Sequence, residues 1–312
     1  MNEVNADSLA PTTAALGIDA GLWHDEIGRP ARVFRSLRRF AARKPLGAAG
    51  FLLILLLILT AVFADVLERS DPNAIDTDAL LQPPSSDAWF GTDQLGRDLY
   101  SRVVAGSRVA VAVGFISVAI ATVAGTAIGL VSGYYGGKVD LVIQRVVDAI
   151  LAFPALVLGL AVVTAIGPSV RNLIVVIAFI STPSFSRVVR ASVMGVKNNA
   201  YIEAAHVLGQ STPLILLRHV LPNVMAPIII VATSSVGAAI LAESGLSFLG
   251  LGPPPPDATW GSMLAADARF NISTAWWLAV VPGVAISVTV LGCNLLGDAL
   301  RDVLDPRLRG AR

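Results

Sequence analysis

The chain has 312 residues, 54% of them hydrophobic and 14% charged, with a net charge of +1 and a mean hydropathy of +0.70. That much apolar surface is more than a water-soluble fold can hide, which places the chain in a bilayer. The near-neutral charge excludes a broad nucleic-acid-binding role. The lone Cys293 excludes an internal disulfide or a Cys-rich metal site, and His24, His206 and His219 are too scattered for a multi-histidine centre.

Residues 1–28 mix small, polar and acidic types without a sustained period and are expected to form a disordered tail. From Arg32 to Lys44, Val33, Leu37, Phe40 and Ala41 recur at helical spacing among Arg32, Arg35, Arg38, Arg39 and Arg43. Two readings fit: an amphipathic helix on the inner membrane surface, or an unstructured basic anchor that only sets topology. Six windows then lack Asp, Glu, Lys and Arg: 45–64, 109–137, 149–170, 172–186, 219–242 and 271–297. Each is near or above the roughly 15 to 20 residues a helix needs to cross hydrocarbon, with 172–186 recruiting flanking residues. The expectation is an all-α membrane protein with six transmembrane helices. A cleaved signal is disfavoured, although Val62-Phe63-Ala64 would suit a small-residue cleavage rule and Arg38-Arg39-Phe40 faintly resembles a twin-arginine signal. The hydrophilic stretch reaching Lys44 is far longer than an ordinary n-region.

Basic residues near span ends stay on the cytoplasmic side. Arg29, Arg32, Arg35, Arg38, Arg39, Arg43 and Lys44 precede the first window, whereas 65–108 sets Asp65, Glu68, Asp71, Asp76, Asp78, Asp87, Asp93 and Asp98 against Arg69, Arg97, Arg102 and Arg108. Six spans then put the 187–223 loop inside, with Arg187, Arg190, Lys197 and Arg218 against Glu203, together with the tail holding Arg301, Arg307, Arg309 and Arg312. Both termini are expected in the cytoplasm, so charge bias and span parity agree.

In 65–108, Asp71-Pro72 and Pro83-Pro84 predict irregular backbone. Thr92-Asp93 is a plausible N-cap pair for a short amphipathic helix with Leu95, Leu99 and Val103 on one face and Asp98 paired to Arg102. In the second span Gly125, Gly129 and Gly133 recur every fourth residue, a bare face against which a neighbouring helix can pack. Asp140, Gln144 and Asp148 share a face of the third span, with Arg145 three residues before Asp148. Arg145 and Asp148 are either gate residues or an ion pair that locks helices, the latter favoured. Phe153-Pro154 predicts a kink or local unwinding.

Within 187–223, Asn198-Asn199 caps a predicted helix whose apolar face is Tyr201, Ala204, Ala205 and Leu208, and Gly209 stops it. Thr212-Pro213 restarts the chain as N-cap and first-turn proline, with Leu214, Leu217 and Leu221 at helical spacing before Pro222. Helix, glycine elbow, helix makes a docking device: Ala204 and Ala205 let a partner approach and Glu203 offers it a charge. By propensity alone a plain helical hairpin remains open. Late in the fifth span, Glu243 must face a partner or a wet cavity, as pathway lining or as a cap on a neighbouring helix. The run Pro253 to Pro256 ends that helix.

Glu203-Ala204-Ala205, three residues, Gly209, and then Leu221-Pro222 resembles the EAA loop of bacterial ABC importer membrane subunits. His219 stands where the broad pattern has Ile, but Arg218-His219-Val220-Leu221-Pro222-Asn223 is similar to the form in the dipeptide, oligopeptide and nickel permease branch. Gly91-Thr92-Asp93-Gln94-Leu95-Gly96-Arg97-Asp98, Ala152-Phe153-Pro154, the stretch from Glu243 to Gly252, Gly297-Asp298-Ala299-Leu300-Arg301-Asp302 and Asp305-Pro306-Arg307 resemble the same branch, in its second, "C-type" permease. The resemblance implies the type I importer transmembrane fold, with a tail at 1–45, a first helix at 46–66, an extracytoplasmic segment at 67–105, the ABC transmembrane type-1 domain at 106–297 and a C-terminal tail at 298–312.

It also implies a multi-pass protein of the bacterial cytoplasmic membrane, in which Glu203, Ala204, Ala205, Gly209, Leu221 and Pro222 couple to a cytoplasmic ATPase. The partners so implied are a second permease subunit, two ATP-binding cassette subunits and an extracytoplasmic solute-binding protein, alongside membrane lipid; no cofactor, metal or catalytic residue is expected. Peptides are the default cargo, nickel the alternative. The chain has no phosphate cradle of its own, since Gly136-Gly137-Lys138-Val139 lacks both the first glycine and the hydroxyl residue. An ion-coupled secondary transporter using Asp148 and Glu243 is a second reading, weakened by the docking loop. An intramembrane hydrolase is weaker still, without a Gly-X-Ser-X-Gly elbow or a His-Glu-X-X-His motif.

Overall fold

The computed structural model describes residues 44–265 and 273–304, so the predicted tail at 1–28, nearly all of the basic segment and the last residues of the C-terminal tail lie outside the described residues. Helices α1 (Pro45–Val62), α3 (Leu99–Tyr135), α6 (Val170–Val196) and α11 (Trp277–Leu304) are long and apolar enough to cross a membrane. A fifth crossing runs over Thr212–Leu251, from α8 (Thr212–Ile215) through a π-helical turn, Leu216–Val220, into α9 (Leu221–Leu246). A bent pair, α4 (Gly137–Leu151) and α5 (Ala155–Ile166), its halves inclined by 87°, makes a sixth span when the two halves are taken together. Short helices α2 (Ala64–Leu67), α7 (Ala200–Val207) and α10 (Trp260–Met263) complete the described set.

The break falls at Phe153-Pro154 for a local reason. Proline has no backbone N–H to donate and pushes the preceding residue away from helical geometry, so the ladder stops at Leu151 and restarts at Ala155 with Pro154 as the N-cap.

The 37 residues of α3 rise about 55 Å, well beyond a hydrocarbon core of about 30 Å. The helix begins later than Thr92-Asp93 suggests. Its N-cap is Asp98, whose carboxylate accepts from Ser101 N at 3.0 Å and Ser101 Oγ at 2.6 Å. Asp93 instead closes a tight loop. Buried at 0% exposure, it accepts from Leu95 N and Arg97 N, and binds Arg97 Nε at 2.6 Å and Arg102 Nε at 3.5 Å. Arg102 therefore pairs with Asp93, and among the described residues 92–98 form a turn and not a separate amphipathic helix. Two indoles tie this outer segment down: Trp277 Nε1 donates to Thr92 O and Trp260 Nε1 to Val103 O. At the adjacent α2, the hydrogen bond from Arg108 holds the Asp65 carboxyl below its usual range.

The main core lies among α3, α6, α9 and α11, around Val113, Leu173, Ile177, Phe185, Ile240 and Leu278. The α3–α6 contact is the most extensive of all helix pairs, and the glycine stripe makes it so. A Cβ on Gly129 would stand 2.7 Å from Ser186 O and Val189 Cβ; one on Gly133 would stand 2.9 Å from Arg190 O and Val193 Cβ. At Gly125 an added Cβ would meet Phe185 Cβ in the same way. The bare face thus brings two backbones together, and any side chain would separate them.

Candidate docking surface

A second, smaller core gathers at the end of the bundle where α3 and α6 finish: Leu130 from α3, Val189 and Val193 from α6, Ile202 and Ala205 from α7, Ile215, and Val220, Val224 and Ile228 around the start of α9. Helix α7 thereby shares one core with the ends of three crossings. Its attachment is narrow, because only Ile202 and Ala205 turn inward, at 2% and 4% exposure. Polar ties add to it. Tyr134 OH and His206 Nε2 lie 2.6 Å apart, Lys197 Nζ donates to Gly133 O at 3.0 Å, and Gln210 Oε1 meets His219 Nε2 at 2.9 Å.

The expectation that Ala204 and Ala205 together lie open to a partner is corrected by this arrangement, because Ala205 packs into this chain's own core. Of Tyr201, Ala204, Ala205 and Leu208, only Ala205 is buried; Leu208 is 78% exposed, and its neighbour Val207, absent from the predicted site, is 84% exposed. A signal for the true face exists, since Ile202 and Ala205 are one helical turn apart, but apolarity alone ranks Tyr201 and Leu208 beside them whatever they can reach. The same holds further on: Ile215 and Val220 are buried while Leu214 and Leu217 are exposed.

Glu203 is exposed on α7, and no hydrogen bond or ion pair engages its side chain among the described residues. Asn199 is the N-cap of α7, but its side chain reaches Tyr201 OH instead of capping. Gly209 takes φ +75°, the left-handed conformation that ends the helix, and open space surrounds its Cα. Its requirement is conformational, not steric. The N-cap of α8 is Ser211, with Thr212 and Pro213 inside the first turn. Pro222, which can end or bend a helix, stands here in the first turn of α9 and does not end the run. The π-helical turn before it lets Leu221 N reach Leu216 O, and the chain runs on into α9. Helix α8 and the fifth span are therefore one continuous helical run, with α7 set off from it by Gly209.

On α4, Asp140 forms a two-pronged pair with Arg190 of α6, at 2.6 Å to both Nε and Nη2, and also accepts from Ser132 Oγ; Gln144 donates to Ser132 Oγ at 3.0 Å. Asp148 binds Arg187 of α6 at 2.5 Å. The Arg145–Asp148 pair favoured from spacing does not form, because a carboxylate facing α6 is closer to the arginine there than to one on its own exposed flank. Glu243 is 1% exposed near the end of α9 and accepts from Ser247 Oγ at 2.6 Å and Ser244 Oγ at 3.3 Å, so it faces hydroxyls inside the subunit. Among the described residues no cluster of His, Cys, Asp or Glu is arranged to hold a metal.

Comparison with known proteins places this geometry in a family. Residues 125–310 match the family model described as binding-protein-dependent transport system inner membrane component, and residues 33–84 match the N-terminal TM domain of oligopeptide transport permease C. The chain is 42% identical over 267 residues to the dipeptide transport system permease protein of Alkalihalophilus pseudofirmus, covering 86% of this chain and 88% of that one. It is 42% identical over 287 residues to a glutathione transport system permease protein of Escherichia coli, covering 92% and 93%. Among solved structures, a chain of the MetNI methionine ABC transporter shares the fold at a TM-score of 0.53 and 16% identity, covering 65% of this chain and 96% of that one.

Proposed function

The chain belongs to the family of binding-protein-dependent transport system inner membrane components, and from that premise we propose that it forms one half of the membrane pathway of an ATP-driven peptide importer, moved by a separate ATPase seated on α7. The termini and α7 lie in the cytoplasm on this reading, supported by the basic bias of 187–223. ATP hydrolysis resides in two cassette subunits, a second permease completes the pathway, and a solute-binding protein delivers the cargo. The dipeptide and glutathione relatives favour peptides over the nickel alternative.

One observation carries the reading. A helix whose Ile202 and Ala205 join the core at the ends of α3, α6 and α9 presents Glu203, Val207 and Leu208 outward, exposed among the described residues. A push on that outward face moves three crossings together, since α8 continues into α9 without a flexible joint. The ion-coupled alternative draws no support from its proposed sites, because Asp148 is engaged by Arg187 and Glu243 is enclosed.

The test uses the assembled transporter in liposomes, with ATP hydrolysis and peptide uptake measured together. Glu203→Lys is expected to uncouple the two while leaving insertion intact, and Gly209→Leu to do the same by forcing a side chain into left-handed backbone. Uptake per ATP unchanged in both variants refutes the docking role.

A further inference from the structure

The inner side of the α4–α5 bend holds a crevice of about 410 Å³ lined by Arg145, Val146, Ile150, Phe153, Leu158 and Phe179. Arg145 is the one charged residue in that lining. It is exposed, lies more than two turns inside α4, and has no hydrogen-bond or ion-pair partner among the described residues. Beside it stands the Asp148–Arg187 pair, each side chain about half exposed at 49% and 51%. A second apolar cavity, between α3, α4 and α6, shares Val146, Ile150 and Phe179 with the crevice, so the apolar surface is continuous.

Four occupants are conceivable for a surface of this kind in a membrane-crossing segment; its chemistry separates hydrocarbon, water and a protein helix, and the experiment below separates a phospholipid, whose phosphate would also meet a guanidinium. Hydrocarbon would satisfy the apolar walls but would leave a guanidinium and a half-exposed ion pair facing lipid, which charged groups in spans avoid. Water would satisfy the charges but not walls built of valine, isoleucine, leucine and phenylalanine. A protein helix carrying apolar side chains and one carboxylate satisfies both. We propose that this crevice seats a transmembrane helix of the second permease subunit, which fills the apolar hollow with its side chains and sets an acidic residue against Arg145. The inference rests on the two-permease reading above. The third span then serves both subunits, since α4 uses Asp140, Gln144 and Asp148 to bind its own bundle and turns Arg145 toward the partner.

The experiment uses the complete transporter with a tag on this chain, recovering the second permease with it. Arg145→Glu is expected to lower that recovery by about tenfold or more, the scale of leaving one member of a desolvated charge pair unmatched. Arg145→Lys retains recovery, and one acidic-to-basic change in the partner restores it to Arg145→Glu. Because Cys293, the native cysteine, is buried, Arg145→Cys introduces an accessible thiol and is expected to cross-link to the second permease. Unchanged recovery with Arg145→Glu overturns the inference. So does labelling of Arg145→Cys by a membrane-impermeant maleimide as fast as the exposed Ser86→Cys, which places it in water, or loss of a bound phospholipid from Arg145→Ala with the partner retained. If the wild-type chain recovers no second permease, the two-permease reading itself fails; normal wild-type recovery with an indifferent Arg145→Glu removes this inference alone.

Discussion

The α3–α6 seam and helix α7 are attached to the same bundle by opposite means. In the seam, Gly125, Gly129 and Gly133 remove side chains so that backbone meets the neighbouring helix over more than two turns, leaving no room for a Cβ at any of the three. Helix α7 is held by Ile202 and Ala205 alone among its core contacts, and leaves Glu203, Val207 and Leu208 in the open. The contrast separates a lever from its handle. A close-packed interior cannot yield locally, so a displacement at its end is carried along it; a handle must stay bare on the side that is gripped.

Substitutions that attack the seam should cost stability, and those on the outward face of α7 should cost function alone. The largest effect is expected for Gly129→Leu, where a side chain would enter backbone and Val189 at once: destabilisation of about 3 kcal/mol or more, read as loss of monodisperse protein or a lowered unfolding temperature in detergent. Ile202→Ala should cost about 2 kcal/mol. It tests whether the narrow attachment transmits motion, since α7 would be loosened without touching the seam, and uptake per ATP should fall more steeply than thermal stability. Asp140→Asn removes a partly exposed pair between α4 and α6, and about 1 kcal/mol is expected after allowing for solvent screening. A larger loss for Asp140→Asn than for Gly129→Leu would mean that polar ties, and not close packing, hold α6 in place.

Much of this was legible in the sequence because bilayer physics reads length and charge directly. Charge-free windows located five crossings, the glycine period announced a close helix contact, and Phe153-Pro154 marked the bend in the α4–α5 pair. The inward face of α7 was not legible, since Tyr201, Ile202, Val207 and Leu208 are all apolar and only tertiary contact decides which of them is covered. Pairing partners were missed for a related reason. Spacing offered Asp98–Arg102 and Arg145–Asp148, neighbours on one helix, whereas folding brought Asp93 to Arg102 and Arg187 to Asp148 from other segments. The run-on of α8 into α9 was hidden by Pro222, whose usual break is absorbed by the π-helical turn.

The central claim is that the bare face of α7 is where the ATPase grips, and the most direct measurement is site-specific cross-linking from Leu208→Cys in the assembled transporter, alongside uptake and unfolding temperature for Leu208→Ser. The account predicts a cross-link to the cassette subunit, and a Leu208→Ser variant that unfolds within about 0.5 kcal/mol of the wild type yet imports poorly per ATP hydrolysed. Full coupled uptake by Leu208→Ser, with no cassette subunit captured at Leu208→Cys, would contradict it.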